Sequence, residues 1–246
     1  GDFINPVIKD LPSSGIRKFF DIAASVKGVV SLGIGEPDFV TPQRVIDAAV
    51  ASLKEGHTSY TSNAGMLELR EAIAAYLQKD FGLHYNAANE VLITVGGSEA
   101  IDIALRAIVS PGDEILVVEP CFVSYKPCVT MAGGIPVPVT TYMKDNFKLT
   151  PEMLEEKITP KTKAVLMSFP SNPSGAILNR EDLTAICEVI KKHNLLVISD
   201  EIYAHLTYCG KHVSVAEIPG MQERTVLVSG ASKAFAMTGW RIGYLC

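Results

Sequence analysis

No apolar run in this chain approaches the ~20 residues that a membrane-crossing helix needs. No block of lysines or arginines offers a footprint for nucleic acid or an anionic membrane, and the net charge is −5. The opening Gly-Asp-Phe-Ile-Asn-Pro has neither the basic start nor the apolar stretch of a secretory signal. Cysteine is sparse: Cys121, Cys128, Cys187, Cys209 and Cys246 stand apart, with no Cys-x-x-Cys pair. That spacing reads as free, mostly buried thiols in a reduced cytoplasm. The five histidines are as dispersed, none at ligand spacing from another, so no metal site is expected. Internal repeats and low-complexity linkers are missing too.

What remains is a globular balance, 48% hydrophobic and 20% charged over 246 residues, enough for one large domain or two small ones. Seven segments read as strands: Glu90–Val95, Glu114–Val118, Ile135–Val139, Lys163–Met167, Leu195–Ser199, Thr225–Val228 and Ile242–Cys246. Pro136 and Pro138 put the third at a sheet edge, since each removes a ladder donor. Helices fall between. One carries Ile101, Ile103, Leu105, Ile108 and Val109; another, capped by Asn179 with Asp182 in its first turn, carries Leu183, Ile186, Cys187, Val189 and Ile190. Thr150-Pro151 and Thr41-Pro42 each place a cap before a proline at the first helical position. The alternation predicts an α/β fold, a mostly parallel seven-stranded sheet with helices on both faces. Residues 1–40, punctuated by glycine and proline with an amphipathic piece around Ile16–Val26, read as an arm beside a domain spanning 41–246.

Five segments fall at or beside the ends of these elements, where open α/β sheets bind ligands. Val95-Gly-Gly-Ser-Glu-Ala100 is a strand-to-helix turn whose backbone N–H groups could cradle an anion, although many such turns carry glycines for packing alone. It lacks the third glycine of a dinucleotide fingerprint. Phe122, in Glu119-Pro-Cys-Phe-Val-Ser-Tyr125, could lie on a heteroaromatic ring or simply fill core. Phe169-Pro-Ser-Asn-Pro-Ser-Gly175 is a stiff loop that aims Asn172, or an ordinary tight turn. In Ser199-Asp-Glu-Ile-Tyr203, an aspartate ending an apolar run is costly unless paired, and a pyridinium nitrogen is a suitable partner. Lastly, Lys233 comes after a strand among small residues, with Arg241 eight positions on. A lone lysine is commonly an exposed surface residue. Lysine amines also form Schiff bases, and pyridoxal phosphate is a cofactor so held. Arginine suits a fork of phosphate oxygens. Any one segment can be packing; five in order point to one cofactor.

Leu32-Gly-Ile-Gly-Glu-Pro-Asp-Phe39, Ser171-Asn-Pro-Ser-Gly175, Asp200-Glu-Ile-Tyr203 and Ser232-Lys with Gly239-Trp-Arg-Ile-Gly243 after it together resemble the class I/II, fold-type I aminotransferases, which use pyridoxal phosphate. The resemblance runs over essentially the whole chain. It implies a transferase-like large domain in which Lys233 carries the cofactor as a Schiff base, Asp200 holds the ring nitrogen protonated, and Asn172 and Tyr203 contact the phenolic oxygen. Phe122 would stack on the ring. Gly97, Ser98, Glu99, Ser232 and Arg241 would surround the phosphate, joined by Tyr60 from the neighbouring subunit of a homodimer. Gly35 would lie near the substrate carboxylate, and Ile16 would help cover the substrate. The implied reaction is ping-pong transfer of an amino group between an amino acid and a 2-oxo acid, as part of amino acid metabolism in the cytoplasm.

Two features depart from the family pattern. The family continues into a small C-terminal domain that supplies an arginine for the substrate α-carboxylate, whereas this sequence stops at Cys246, so that domain is expected to be missing. Relatives specific for aspartate often carry lysine where Ser98 stands, which counts against aspartate. A carbon–sulfur β-lyase of the same fold would use the same cofactor residues and differ in products, pyruvate and ammonia. A non-catalytic pyridoxal-phosphate sensor would need a fused DNA-binding domain, and no helix-turn-helix or basic patch precedes Gly35.

Overall fold

The computed structural model describes residues 3–12, 22, 26, 28 and 35–246. Ile16 and most of the expected 1–40 arm, with all of its amphipathic piece but Ile22 and Val26, therefore lie outside the described residues. All seven expected strands form: β1 (Leu92–Val95), β2 (Glu114–Glu119), β3 (Ile135–Thr140), β4 (Thr162–Ser168), β5 (Leu196–Asp200), β6 (Thr225–Gly230) and β7 (Ile242–Leu245). They make one sheet in the order β1-β7-β6-β5-β4-β2-β3. Strands β3, β2, β4, β5 and β6 run parallel, while β7 pairs antiparallel with both β6 and β1. The proline-bearing β3 is an edge strand, as its missing donors require.

Successive residues of the central strands feed opposite faces, as the two-residue period of a strand dictates. On one face Leu116, Val165, Met167 and Val197 meet Leu183, Ile186, Cys187 and Ile190. The latter four sit at i, i+3, i+4 and i+7 of a helix, Arg180–Lys192, and so form a single stripe. On the other face Ile115, Val117, Leu166 and Ile198 meet Ile101 and Leu105 of a helix over Gly96–Ile108 and Val129 of a shorter one over Tyr125–Met131. In chain order the helices that matter here are α1 (Gln43–Lys54), α2 (Leu67–Phe81), α3 (Gly96–Ile108), α4 (Tyr125–Met131), α5 (Pro151–Glu155), α6 (Arg180–Lys192) and the single turn α7 (Ala231–Ala234). Ile73 and Leu77 of α2 pack with Leu227 and Tyr244 beside the β6–β7 pair. Burying each such side chain contributes roughly 1.5–3 kcal/mol. None of the described helices is long and apolar enough to cross a membrane.

Two of the three expected caps form. Asn179 and Asp182 exchange bonds in a reciprocal capping box, and the Thr150 hydroxyl accepts Met153 N–H with Pro151 next in the chain. The third does not. Pro42 itself is the N-cap of α1, which puts Thr41 one position outside the helix, and no side chain caps it. The Thr41 hydroxyl instead donates to Ala236 O, 195 residues away at 2.6 Å. A tertiary acceptor has outcompeted a local one. Of the cysteines, Cys128 and Cys187 are buried, Cys121 and Cys246 are partly covered and Cys209 is exposed; all five are free thiols.

Candidate active site

Strands β2, β4, β5 and β6 are parallel, so the segments leaving their carboxyl ends all emerge along one edge of the sheet. Strand β1 runs in the same sense, being antiparallel to β7, which is antiparallel to β6. Phe122 lies just past β2, Asn172 past β4 and Lys233 past β6, while Asp200 ends β5 and α3 starts directly after β1. The topology therefore gathers all five expected segments at the carboxyl edge, where parallel sheets open a crevice.

Asp200 is buried, 7% exposed, and is paired across the ladder with Ser168 on one side and Val228 on the other. Burial pushes its carboxyl pKa up, hydrogen bonds from Tyr125 and from the Ile202 amide pull it back, and neighbouring Glu201 pushes it up again. Tyr125 O–H donates to Asp200 Oδ2 at 2.6 Å, and Ile202 N–H donates to Oδ1 at 3.1 Å. Tyr125 is itself buried, and its phenol is held neutral mainly by that burial, with the Asp200 charge adding to it. Each carboxylate oxygen has a second lone pair, so the group retains capacity for a cationic partner.

Lys233 sits in the one-turn helix α7, directly after β6. Its Nζ donates to Gly35 O and lies 5.9 Å from the centre of the Tyr203 ring. Partial burial lowers the amine pKa; Glu36 raises it, and Arg241 lowers it further. Asn172 Nδ2 donates to the Tyr203 hydroxyl at 3.4 Å, so the asparagine loop and the Asp-Glu-Ile-Tyr segment meet as expected. Burial raises the Tyr203 pKa, with Asp200 adding to the rise and the Asn172 bond countering it. Phe122 is half-buried and meets Tyr125 edge-on, ring centres 5.9 Å apart at 76°.

The anion cradle is built from glycines and one arginine. Helix α3 begins at Gly96, whose φ of 77° lies in the left-handed region. A β-carbon there would stand 2.1 Å from Arg241 Nη2, so the guanidinium lies against the helix start because residue 96 lacks a side chain. Gly243 is as constrained: a β-carbon would fall 2.3 Å from the carbonyl carbon of Gly96 and 2.5 Å from Gly97 N. Arg241 holds φ 55° and donates from Nη1 to Thr238 O at 2.9 Å. A left-handed residue with a β-carbon costs roughly 1–2 kcal/mol, so this loop is strained to aim its arginine. Ser98 is exposed on the first turn of α3, and Ser232 is buried in α7. The Glu99 carboxylate turns back to accept Val95 N–H. What Glu99 offers an anion is thus its main chain, not its side chain.

Gly35 enters through its carbonyl, as the acceptor for Lys233. Tyr60 is fully exposed. Ile16 is outside the described residues. The Gly96-Gly97 turn was expected as an anion cradle, but sequence reasoning did not single out Tyr125, Gly243 or Glu36. Only Tyr125 left a usable trace, three positions after Phe122 at the start of a helix, where one turn returns it toward the same edge.

The chain belongs to the aminotransferase class I and II family, whose model matches residues 27–246. It is 53% identical to a putative aminotransferase, YugH, of Bacillus subtilis strain 168, an alignment covering 98% of this chain and 63% of that protein. It is 46% identical to an aspartate aminotransferase of Pyrococcus abyssi, covering 99% of this chain and 61% of the relative. The crystal structure of Pyrococcus protein-A1 superposes with a TM-score of 0.95 at 46% identity, covering 98% of this chain and 62% of that one. The chain thus spans about three fifths of the length of the proteins it matches.

The family implies pyridoxal phosphate, and the residues present fit it. A buried carboxylate with spare acceptor capacity suits a ring nitrogen. A partly buried amine with a lowered pKa suits an aldehyde. A helix start with no side chain at Gly96, closed by the Arg241 guanidinium, suits a phosphate.

Proposed function

We propose that residues 41–246 are the cofactor-binding large domain of a pyridoxal-phosphate-dependent transaminase, with residues 1–40 an arm beside it. Its reaction is transfer of an amino group between an amino acid and a 2-oxo acid with ping-pong kinetics. The observation that carries this reading is Lys233: an amine with a depressed pKa, between the Tyr203 ring and Gly35 O, one strand away from the buried Asp200.

Bound pyridoxal phosphate would supply an aldehyde and an electron-accepting ring. Lys233 would hold that aldehyde and, once an amino acid has displaced it, move the proton at the substrate Cα as general base. Its lowered pKa suits the task, because more of the amine is unprotonated at neutral pH. Asp200 would orient the ring through its nitrogen and stabilise positive charge there. Tyr125 and the Ile202 amide keep that carboxylate fixed. Tyr203, fixed by Asn172, would donate to the phenolic oxygen. Gly97, Ser98, the Glu99 main chain, Ser232 and Arg241 would hold the phosphate, with Phe122 against the ring. A homodimer, in which exposed Tyr60 reaches the neighbouring subunit's phosphate, and a cytoplasmic location complete the reading. Gly35 and Ile16 would lie on the substrate side.

The test is the absorbance of the protein with pyridoxal phosphate, before and after each of a set of amino acids is added. A cofactor band that Lys233→Ala abolishes, and that an amino acid converts with release of its oxo acid, is the expected result. A band that is the same with and without Lys233 sinks the assignment. Pyruvate and ammonia as products would move it to a lyase.

A further inference from the structure

Thr41 does not cap the helix it precedes, and its hydroxyl is fully engaged elsewhere. It donates to Ala236 O at 2.6 Å and accepts the indole N–H of Trp240 at 3.0 Å. A hydroxyl has one proton and two lone pairs, so both bonds form at once, as a chain from Trp240 through Thr41 to Ala236. Those partners lie four residues apart on the loop between Lys233 and Arg241. The loop also carries two left-handed residues with β-carbons, Ala236 at φ 52° and Arg241 at φ 55°. Such conformations persist where the surroundings over-determine them.

Most other bonds of the loop are internal and would move with it: Met237 N–H to Ser232 O at 3.1 Å, and Arg241 Nη1 to Thr238 O at 2.9 Å. Among the described residues, hydrogen-bond ties to a distant part of the chain come from residues 35–41. Besides Thr41 they are the Lys233 bond to Gly35 O, and Thr238 Oγ1 donating to Glu36 Oε1 at 2.9 Å. Lys233 would give up its tie to Gly35 O on holding a cofactor aldehyde. Of the remaining ties among the described residues, Thr41 is the one that joins two points of the loop at once.

We propose that Thr41 is a positioning residue for the cofactor site, clamping the strained 236–241 loop through Ala236 O and Trp240 Nε1 so that Lys233 and Arg241 keep one mutual spacing. It acts through those two partners. The proposal rests on the reading of this site as a pyridoxal-phosphate site and adds to it a residue whose place in the sequence suggested only a helix cap.

Trp240 is the chain's single tryptophan, so its emission reports on the clamp without interference. In Thr41→Val the emission should change as the indole loses its acceptor. Affinities for pyridoxal phosphate and for inorganic phosphate, the latter by titration calorimetry, should both weaken roughly tenfold, about threefold for each of the two lost hydrogen bonds. Thr41→Ser should restore emission and both affinities to within about twofold of wild type. A residue that merely stabilised the fold would lower the melting temperature and leave the affinities of the folded protein alone. Changed emission with wild-type affinities overturns the proposal, as does a serine variant that fails to restore them. Should Thr41→Val not fold, Trp240→Phe decides: it removes one of the two bonds and should weaken phosphate binding about threefold, and unchanged binding overturns the proposal. If the wild-type protein shows no Lys233-dependent cofactor band, the functional reading falls, while phosphate affinity and Trp240 emission still decide the role of Thr41.

Discussion

At the scale of single residues, Asp200 sets the character of the site because it places a titratable carboxyl where water is scarce. Its folded pKa is raised, chiefly by burial, so the folded chain holds that proton more tightly than the unfolded chain does. Any stability linked to it is present below the unfolded value near 3.9 and is lost as pH rises through the folded value. Above that window the group therefore weakens the cofactor-free fold relative to acid pH. Asp200→Asn is expected to melt about 2–4 °C higher than wild type at pH 7, the effect of roughly 1 kcal/mol in a chain of this length. The gain should vanish below about pH 4, where the wild-type group is protonated in both states. Tyr125→Phe works in the opposite direction: it strips Asp200 Oδ2 of its donor and should cost about 1–3 kcal/mol in a neutral-pH denaturant melt. Asp200 was legible in the sequence because a charge ending an apolar run demands a partner. The Tyr125 bond spans 75 positions, and no local pattern announces it.

At the scale of elements, two matching dipeptides met different fates. Thr150-Pro151 and Thr41-Pro42 carry the same local signal, yet only the first became a cap. Helix starts are readable when the hydroxyl has no better offer, and a carbonyl delivered by a remote loop is invisible to local rules. The same limit explains why the loop after α7 read as small residues around a lysine. Its left-handed backbone at Ala236 and Arg241 has no glycine to advertise it. Helix α6, by contrast, was legible almost entirely, because its cap, stripe and last-turn lysines all lie within one short segment. Asn179→Ala should cost it about 1 kcal/mol in a thermal or denaturant melt, with the Lys148–Asp182 contact left to hold the first turn.

At the scale of the whole molecule, the existence of seven strands could be read from the sequence, but the insertion of β7 between β1 and β6 could not. Nothing in Ile242–Leu245 distinguishes an antiparallel interior strand from a parallel one. That insertion brings Gly243 against the backbone of Gly96 and Gly97, so the last strand of the sheet shapes the anion cradle. Gly243→Ala places a methyl group into main chain that cannot step aside. It should cost about 1–3 kcal/mol of stability, with a lower melting temperature and weaker phosphate binding measured on the same sample. The principal groups of the site are Asp200, which ends β5, and Lys233, which follows β6; the two strands are neighbours about 4.8 Å apart at the Asp200–Val228 pair, although 33 positions separate the two groups in the chain. Their spacing is thus written in sheet hydrogen bonds, and the length of the connection between them carries no information about it. Tyr208, Cys209, Gly210 and Lys211 form an exposed tip of that connection. Evolution or an engineer can lengthen the chain there, or splice in a foreign segment, and the two groups will keep their distance.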